Sequence, residues 1–439
     1  MVIAVVFWTI GTGFYRDLSA KNEDVYEELK VFSDVIELIE KEYVDEVETK
    51  ELIQKAIQGM VQSLDPHSSL LPQEAFEDLQ IDTKGKFTGI GIHITMRDGF
   101  VTVISPIEDT PAHKAGIKAR DKIIKVDGKP TKDLREAVNM MRGPKGTPVA
   151  VTILREGVKQ PLEFELVRDV IPIQSVKSIM LKPGYGFIRL SNFTGTTTTE
   201  MEKALRKLES SKDPLKGLVL DLRNNGGGLL NQSLKVTDLF LDEGKILSIK
   251  GRNSKNTKEF NASASSEKRT YPLVVLINAG SASASEIVAG ALQDHKRALI
   301  LGTTSFGKGS VQTVETLRDG SGLKLTIARY YTPNGRSIQA KGIEPDIFLE
   351  HRLLDPAESR SKEDGLLKEK DLENHLEAES NEKQDKEDDG DEENQEKSRR
   401  QEVEFRVGPL KPEMLQTDNQ VMRALELLEG YEIFKNFKS

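Results

Sequence analysis

Between residues 173 and 348, short apolar runs alternate with stretches of helical periodicity. Runs such as KGLVLDL, PLVVLINAG and ALILG are rich in branched side chains, which is typical of buried strands. Strands that alternate with helices predict an α/β core in which helices cover the sheet. At two points, residues 224–228 and the serine cluster 281–285, a predicted strand leads directly into a predicted helix. Both points are candidate functional sites.

The chain is long enough for several domains. Its 439 residues exceed one compact domain, so we expect a mixed α/β, multidomain protein. The absence of cysteine excludes a thiol nucleophile, disulfides and thiolate metal sites. The net charge of −9 argues against a nucleic-acid partner, because such proteins present a basic face. No metal-ligand spacing occurs, so neither a metal nor another cofactor is expected.

Residues 1–20 begin with MVIAVVFWTIGTGFYRD. This apolar run is shorter than the roughly 20 residues that span a bilayer. It suits the apolar region of an export signal, with Gly-Thr-Gly behind it as a small-residue site, although no positive leader precedes it. A buried N-terminal strand is the alternative. We expect a periplasmic or otherwise exported protein, with this segment either removed or tethering the chain to the inner membrane.

Residues 21–83 carry two predicted amphipathic helices that end at SLDPHSSLLP. Apolar side chains recur every three or four residues, which places them on one face of each helix. These side chains are Val25, Leu29, Phe32, Ile36, Ile39 and Tyr43, then Ile53, Ile57, Met60 and Leu64. We expect a helical hairpin whose faces pack together, and pairing between subunits is the alternative.

Residues 84–172 change to the two-residue period of strands. KFTGIGIHITMRDGFVTVISPI predicts a hairpin that turns at Asp98-Gly99. With the short helices PAHKAG and LREAVNMMRG behind it, this run resembles a PDZ domain of the bacterial protease type. In such domains backbone N–H groups bind a peptide's terminal carboxylate, and the peptide pairs with the next strand. The resemblance assigns loop and pocket to Gly89, Ile90, Gly91, Ile92, Ala137, Val138 and Met141.

Ser283 has two interpretations. It lies three residues before Glu286 and ahead of an apolar helix, and S-x-x-E at such a place is the capping-box signature. The same geometry suits a nucleophile, because a serine on a sharp strand-to-helix turn is exposed and the helix N-terminus stabilises negative charge. Local sequence leaves both interpretations open.

A serine nucleophile needs a base, and none of the six histidines is convincingly placed. His295 follows on the same helix, about 18 Å along its axis. A buried, neutral lysine is the other option, and Lys308 in SFGKGSVQ is flanked by glycines. Gln312, four residues later, could hold its amine by hydrogen bonding. An exposed turn lysine is the alternative.

The stretch NAGSASASEIVAGALQDHKRALILGTTSFGKGSVQ, residues 278–312, closely resembles the carboxy-terminal processing (tail-specific) peptidases. These are serine–lysine proteases with an inserted PDZ domain and a spiral α/β core like that of crotonases and Clp proteases. SLDPHSS, LDLRNNGGGLL and YYTPNGRSIQAKGIEPD extend the resemblance. The family nucleophile is the middle serine of SASAS, and its lysine follows 25 residues later, so the match selects Ser283 and Lys308.

The resemblance implies a mechanism. Lys308 takes the proton of Ser283, whose oxygen attacks a peptide carbonyl to form an acyl-enzyme. The oxyanion is then expected to accept from the N–H of Ala284 and from that of Gly226 or Gly227.

The family's PDZ domain can lie over the active site or swing away from it. Arg142 lies at the end of the PDZ helix, and we expect it to couple peptide binding in the PDZ domain to Lys308 of the active site. The alternative is an exposed arginine at a helix end without such a role. Asp294 and Arg297, in the matched QDHKRA run, are interpreted as structural residues that form an ion pair.

Residues 349–409 are rich in charge and nearly free of aromatic or branched side chains, which predicts a disordered linker. Residues 410–439 follow with a predicted helix that Asp418 caps and that carries Val421, Leu425 and Leu428 on one face. We expect this helix to pack on the N-terminal pair, within or between subunits.

The sequence therefore predicts a serine endopeptidase that cleaves proteins near their free C-termini. A homodimer through the helical termini, a membrane tether and an activating partner are further expectations. A catalytically silent PDZ scaffold or chaperone is the alternative, and the intact Ser283, Lys308 and Gln312 disfavour it. An acyl-CoA enzyme of the related fold is disfavoured because a PDZ domain has no role there.

Overall fold

The structure is a computed structural model, and it describes residues 25–264, 268–352, 410 and 415–437. The expected export signal at 1–20 lies outside the described residues, as does the charged segment 353–409. Among the helices of the described ranges, none is both long and apolar enough to cross a bilayer.

Two helices begin the described chain where the periodicity predicts them. α1 covers residues 25–42 and α2 covers Thr49–Gln62. The apolar face of α1 stays open, with Leu29 56% exposed and Phe32 40% exposed. The sequence predicts that the apolar faces of α1 and α2 pack against each other, but much of the apolar face of α1 remains exposed. The SLDPHSS segment then leads into β1 (Ser69–Leu71) and α3 (Gln73–Lys84).

A small β domain follows, and its main sheet has the strand order β3-β4-β5-β7-β8. Its strands are β2 (Lys86–Gly89), β3 (Ile92–Arg97), β4 (Phe100–Pro106), β5 (Lys122–Val126), β6 (Lys129–Pro130), β7 (Pro148–Leu154), β8 (Leu162–Val167) and β9 (Asp169–Pro172), and its helices are α4 (Pro111–Lys114) and α5 (Leu134–Met141). Asp98 and Gly99, with φ of 51° and 76°, form the predicted hairpin turn between β3 and β4. Because β3 ends the sheet order, one of its edges has no strand beside it within the sheet.

The core is built on a central six-stranded sheet in the order β10-β11-β12-β15-β16-β19. Its strands are β10 (Val176–Lys182), β11 (Tyr185–Leu190), β12 (Gly217–Asp221), β15 (Leu273–Ile277), β16 (Leu299–Gly302) and β19 (Ile347–Phe348). β10 and β11 are antiparallel, and the other neighbours are parallel. A second sheet joins β1 to β13 (Lys245–Gly251), β14 (Lys258–Asn261), β17 (Ser310–Thr316) and β18 (Gly322–Tyr331).

Helices cover both faces of the central sheet, as the apolar strand sequences predict. One face packs against α6 (Thr197–Glu209), α7 (Leu230–Asp238) and α8 (Ala284–Asp294). The other packs against α9 (Asn419–Asn436). Every residue of β12 and of β15 is buried, which is why these strands read as continuous apolar runs. The mixed α/β fold class is confirmed.

The expectation that the apolar face of the C-terminal helix packs on the N-terminal pair is wrong, because that face packs on the core of its own chain. Val421, Leu425 and Leu428 of α9 form a buried cluster with side chains of the central sheet, among them Val219 and Leu276. The apolar stripe was predicted correctly from its spacing, but its partner is the core of the protein and not the N-terminal helices. A stripe of this kind specifies that a surface must be covered, and several apolar faces of the chain would satisfy it.

A buried ionic network fixes α9 in place. Arg223, just after β12, donates to Asp221 at 2.9 Å and to Gln420 Oε1 at 2.7 Å, and its guanidinium lies 2.8 Å from Asp418 Oδ2. Burial alone would raise the pKa of Asp221, but Arg223 and Arg189 lower it to about 2. Asp418 also caps α9 by accepting from the N–H of Gln420 and of Val421.

The first turn of α9 is also hydrogen-bonded to residues 349–352, which follow β19. The Arg352 N–H donates to Asn419 Oδ1 at 2.8 Å, and Asn419 Nδ2 donates to the Glu350 carbonyl at 2.9 Å. Gln420 Nε2 donates to the carbonyl of Leu349. The residues that precede position 353 therefore bind the first turn of α9 directly.

Removal of the Asp418 carboxylate is expected to destabilise the fold strongly. In Asp418→Ala the free energy of unfolding falls by about 3–5 kcal/mol, because Arg223 is left as a buried charge without one of its partners. The control is Glu426→Ala on the same helix, which removes an exposed pair with Arg423 and costs less than about 1 kcal/mol. Urea unfolding measures both values, and equal losses in the two variants would contradict the role of the network.

Candidate active site

Ser283 lies on the turn between β15 and α8 in a strained conformation. Its φ is 54°, a left-handed value that is unusual for a residue with a side chain. It is partly exposed, whereas Ser281 and Ser285 on either side are buried. Of the three alternating serines, Ser283 is therefore the one that is not buried.

The two flanking serines hold the turn together. Ser281 Oγ donates to the Leu222 carbonyl at 2.8 Å, and Ser285 Oγ donates to the Asn225 carbonyl at 2.8 Å. Both acceptors belong to the segment that follows β12. These two hydroxyls thus tie the serine turn to the glycine turn.

The glycine turn after β12 is pressed against Ser283. The side chains of Asn224 and Asn278 join the two turns, with Asn278 Nδ2 donating to Asn224 Oδ1 at 2.9 Å. Gly227 has φ 105°, and a Cβ on it would lie 2.9 Å from the Ser283 Cβ and 3.1 Å from the Ala284 nitrogen. Only glycine fits at position 227.

The expected oxyanion donors differ in their availability. Ala284 is the first residue of α8, so its N–H has no carbonyl partner within the helix. The Gly227 N–H donates to Asn225 Oδ1 at 3.0 Å, so it can bind an oxyanion only by sharing or leaving that acceptor. Gly226 is exposed, and there is open space where its Cβ would be.

Glu286 makes the contact that links the serine turn to the lysine loop. Its Oε2 accepts from the Ser283 N–H at 2.7 Å, which is the carboxylate half of the predicted capping box. The same oxygen accepts from the Lys308 N–H at 3.0 Å. Its Oε1 accepts from the Gly307 N–H at 2.8 Å and from the Ser305 hydroxyl at 2.6 Å. The capping pattern pointed to Glu286, but only its local contact was predictable from spacing.

Further contacts fix the backbone of the Lys308 loop. The Phe306 N–H donates to the Ser281 carbonyl at 3.0 Å, directly across from the serine turn. On the other side Tyr330 donates its hydroxyl to the Lys308 carbonyl and its N–H to the Gly309 carbonyl. Lys308 itself is partly exposed. The structure therefore brings the main chains of Ser283 and Lys308 to one buried carboxylate.

Gln312 follows on β17. Its Nε2 donates to Ser310 Oγ at 2.8 Å and to Thr326 Oγ1 at 3.3 Å. The carboxamide oxygen consequently points away from these two hydroxyls. The amide oxygen of Gln312 is therefore the atom that remains able to accept a further hydrogen bond.

The predicted peptide groove lies between β3 and α5. Gly89, Ile90 and Gly91 are buried, with the carbonyls of Ile90 and Gly91 accepting from the N–H groups of Ala112 and Ile107. Ile92 begins the edge strand β3.

One pocket assignment needs correction. Ala137 is 0% exposed and belongs to the domain core, so it supports the pocket from behind and does not line it. Met141 is also buried in that core, and Val138 is partly exposed. Leu134, one turn before Val138 on the same helix, is partly buried against the domain core.

Arg142 connects the small β domain to the N-terminal region. Its Nη1 donates to Asp78 Oδ1 of α3 at 2.8 Å, and its guanidinium lies 5.7 Å from the centre of the Phe87 ring. The structure thus gives this helix-end arginine a specific partner, and that partner is on α3.

The remaining residues of the matched run have structural contacts. Asp294 and Arg297 do not pair as expected: Asp294 accepts from Arg336 and from the Asn334 N–H, while Arg297 donates to the carbonyls of Phe240 and Arg269. His295 bonds the Lys245 carbonyl at the far end of α8. In the described ranges no group of three acidic or histidine side chains could hold a metal ion.

The raised pKa of Glu286 should make the stability of the fold depend on pH. Burial raises the pKa of this carboxyl from 4.5 to about 7, against the lowering effect of its four hydrogen bonds. Between pH 4.5 and about pH 7 the unfolded chain has therefore released the Glu286 proton, whereas the folded chain still keeps it. The contribution of Glu286 to the free energy of unfolding consequently decreases as the pH rises through this range. We expect wild type to lose up to about 3 kcal/mol relative to Glu286→Gln between pH 4.5 and pH 8. Urea unfolding across this range is the measurement, and a constant difference would contradict the assignment.

Family models match most of the described chain. The model for Peptidase family S41 matches residues 184–349, the model for the PDZ domain matches residues 88–178, and the model for the Activating protease CtpB N-terminal domain matches residues 13–75.

Known proteins extend this similarity over most of the sequence. The Carboxy-terminal-processing protease of Bartonella bacilliformis is 45% identical over 86% of this chain and 88% of its own. Carboxy-terminal processing protease CtpA of Bacillus subtilis is 41% identical over 72% of this chain and 67% of its own. A solved photosystem II D1 C-terminal processing protease is 33% identical over 73% of this chain and 92% of its own, with a TM-score of 0.43. With such identity spanning the β domain and the core together, the chain belongs to the carboxy-terminal processing proteases of peptidase family S41, which are serine-type peptidases.

Proposed function

We propose that this PDZ-containing protease cleaves its substrates with Ser283 as nucleophile and Lys308 as general base. The observation that carries the proposal is the shared Oε2 of Glu286, which accepts from the backbone N–H of both residues. A strained, partly exposed serine at a helix N-terminus is the arrangement that nucleophilic serines use on strand-to-helix turns. The two buried serines beside it are already bonded to carbonyls and do not compete for this role.

The reaction follows from these positions. The Ser283 hydroxyl gives its proton to the neutral amine of Lys308 as its oxygen bonds to the scissile carbonyl carbon. The resulting oxyanion accepts from the Ala284 N–H, with the glycine turn as the second donor. Lys308 then protonates the leaving amine as the peptide bond breaks. Water attacks the acyl-enzyme with Lys308 again taking its proton, and Ser283 is released.

The orphan N–H of Ala284 supports its oxyanion role. It lies at the positive end of α8 and beside the nucleophile, where a negative charge is stabilised. Gly227 is the nearer glycine in space, and exchange of its N–H from Asn225 to the oxyanion would couple the glycine turn to catalysis. Gly226 is the alternative second donor.

Replacement of either proposed catalytic residue should abolish proteolysis. Ser283→Ala removes the attacking oxygen, and Lys308→Ala removes the base, so each variant is expected to lose at least about a hundredfold in kcat. Fragments of an unstructured protein are quantified by mass spectrometry. Lys203→Ala, an exposed lysine of α6, is the control and keeps full activity. Chelators should leave the rate unchanged. Appreciable cleavage by either catalytic variant would refute the serine–lysine assignment. If the variants lose cleavage but still bind peptides, cleavage by the wild type is its own activity, and a catalytically silent scaffold is excluded.

We propose further that the PDZ domain selects substrates by their C-terminal residue. Support comes from the edge strand β3, which can pair with an extended peptide, and from the apolar side chains of Leu134 and Val138 on the neighbouring helix. Gly91 has φ 82°, which suits a loop that turns backbone N–H groups toward one point. Such a groove recognises a free carboxylate and an apolar last side chain.

Matched peptides test this selection. A peptide ending in Val should have a kcat/KM about tenfold to a hundredfold above the same peptide ending in Asp, since burial of one aliphatic side chain is worth about 1.5–3 kcal/mol. Amidation of the Val peptide should reduce kcat/KM as well, because it removes the charge that the N–H groups hold. Equal values for all three peptides would show that the PDZ domain does not select the tail.

The same peptides test gating through Arg142. Because Arg142 ties the PDZ domain to α3, loss of the ion pair should change the ratio of peptide-stimulated to basal cleavage. Arg142→Ala and Asp78→Ala remove opposite halves of one contact, so they are expected to change this ratio in the same direction. Unchanged basal and stimulated rates in both variants would argue against gating by this contact.

Export and assembly remain proposals of the same kind. The apolar run at 1–20 supports export to the periplasm or a comparable compartment, with a membrane tether as one form of it.

A homodimer through the helical termini is supported by open apolar surface on α1 and at the end of α9. The exposed side chains include Leu29, Phe32, Phe434 and Phe437. The match of residues 13–75 to a domain described from an activating protease supports an activating partner. Sedimentation of the full chain tests dimerisation, and a monomer at micromolar concentration would refute it.

A further inference from the structure

A buried carboxylate in the SLDPHSS segment reaches across the molecule toward the catalytic region. Asp65, between α2 and β1, is 3% exposed. Three of its hydrogen bonds are local, from the His67 N–H at 2.8 Å, the Ser68 N–H at 2.9 Å and the Ser68 hydroxyl at 2.6 Å. The fourth comes from Thr326 Oγ1 at 3.1 Å, which lies on β18 and 261 residues away in sequence. This last contact is not needed to form the local turn.

Two features keep Asp65 ionised and Thr326 in position. Burial alone would raise the pKa of Asp65, but the hydrogen bonds from Ser68, His67 and Thr326 lower it below the ordinary aspartate value. The Thr326 N–H donates to Ser68 Oγ at 3.1 Å, and β1 pairs with β18 beside it. Backbone pairing therefore holds the hydroxyl of Thr326 against the carboxylate.

The carboxylate gives the chain of hydrogen bonds a direction. An ionised carboxylate only accepts, so the single hydroxyl proton of Thr326 is donated to Asp65. The Thr326 oxygen is then left to accept, and Gln312 Nε2 donates to it at 3.3 Å while also donating to Ser310 Oγ at 2.8 Å. Ser68 Oγ lies farther from the Thr326 oxygen, at 3.5 Å, and already donates to Asp65. Gln312 faces Thr326 in the β17–β18 register, which maintains this contact. Nitrogen and oxygen of a carboxamide are bonded to the same planar carbon, so the position of one sets that of the other.

We propose that Asp65 and Thr326 act as positioning residues that orient the Gln312 carboxamide, so that its oxygen rather than its nitrogen faces the amine of Lys308. The inference rests on the roles proposed above for Lys308 and Gln312. An oxygen in this place accepts one N–H of the neutral amine and leaves the lone pair free to take the serine proton. A reversed carboxamide presents N–H groups instead, and these compete for the same lone pair.

The test compares variants on both sides of the Thr326 hydroxyl. Asp65→Asn replaces a carboxylate that only accepts hydrogen bonds by a carboxamide that can also donate to Thr326. Thr326→Val removes the hydroxyl at nearly constant size. Thr326→Ser restores the hydroxyl. The control is Asp319→Asn: Asp319 accepts from the Ser321 N–H and hydroxyl in a similar local turn that has no bond to Gln312. For each variant, kcat and KM are measured on one peptide from pH 6 to pH 9, together with the melting temperature.

The expected pattern separates positioning from support of the fold. Thr326→Val and Asp65→Asn lower kcat roughly tenfold to a hundredfold, the cost of a misplaced catalytic group, while KM stays within about twofold. Their acid limb of kcat/KM moves to lower pH, because an ammonium that has lost its oxygen acceptor gives up its proton more readily. Thr326→Ser regains most of the wild-type kcat, and Asp319→Asn keeps it.

Several results would overturn the inference. It fails if Thr326→Val has wild-type kcat, if Thr326→Ser is as slow as Thr326→Val, or if kcat falls while the acid limb stays in place. If Asp65→Asn does not fold, the Thr326 pair decides alone, since it leaves the local turn of Asp65 intact. Each of these failures leaves the serine–lysine assignment standing, because that assignment fails only if Lys308→Ala still cleaves.

Discussion

The arrangement of the catalytic region depends on one buried carboxylate. Glu286 is fully buried and gathers four donors from two separate segments, the turn before α8 and the loop before β17. Each oxygen already accepts two hydrogen bonds, so a proton on either one displaces a donor. Because the donors include the backbone N–H groups of Ser283 and of Lys308, the Glu286 carboxylate holds the backbone of both residues in place. Burial and hydrogen bonding oppose each other here, which holds its pKa at about 7.

Much of the fold was predictable because its determinants are local. The apolar run of β15, the helical pattern of α8 and the turn at Asp98-Gly99 each occupy a short stretch with a distinct period. The choice of Ser283 over its neighbours was not local: capping and nucleophilic roles place a serine identically, and only the spacing to Lys308 in a known family separated them. In the structure the hydroxyls of Ser281 and Ser285 are both bonded to backbone carbonyls.

What could not be predicted are contacts between distant segments. The spacing of Glu286 indicated its cap, but nothing in the sequence indicates that its carboxylate also binds a loop some twenty residues later. The same holds for Asp65, whose bond to Thr326 crosses 261 residues, and for α9, whose apolar stripe fits several surfaces. Hydrogen-bonding capacity is a property of a residue type, whereas the choice of partner is set by the packing of whole elements.

The contact between Arg223 and Asp418 also orders events in time. It joins residues 195 positions apart, with the glycine turn at one end and α9 at the other. A ribosome adds this length in roughly 10 to 40 seconds. The serine turn and Lys308 are synthesised within that interval, before the helix that covers the central sheet and completes the charge network beside the glycine turn. The buried ion pair next to the glycine turn therefore forms only after α9 has been synthesised, late in the production of the chain.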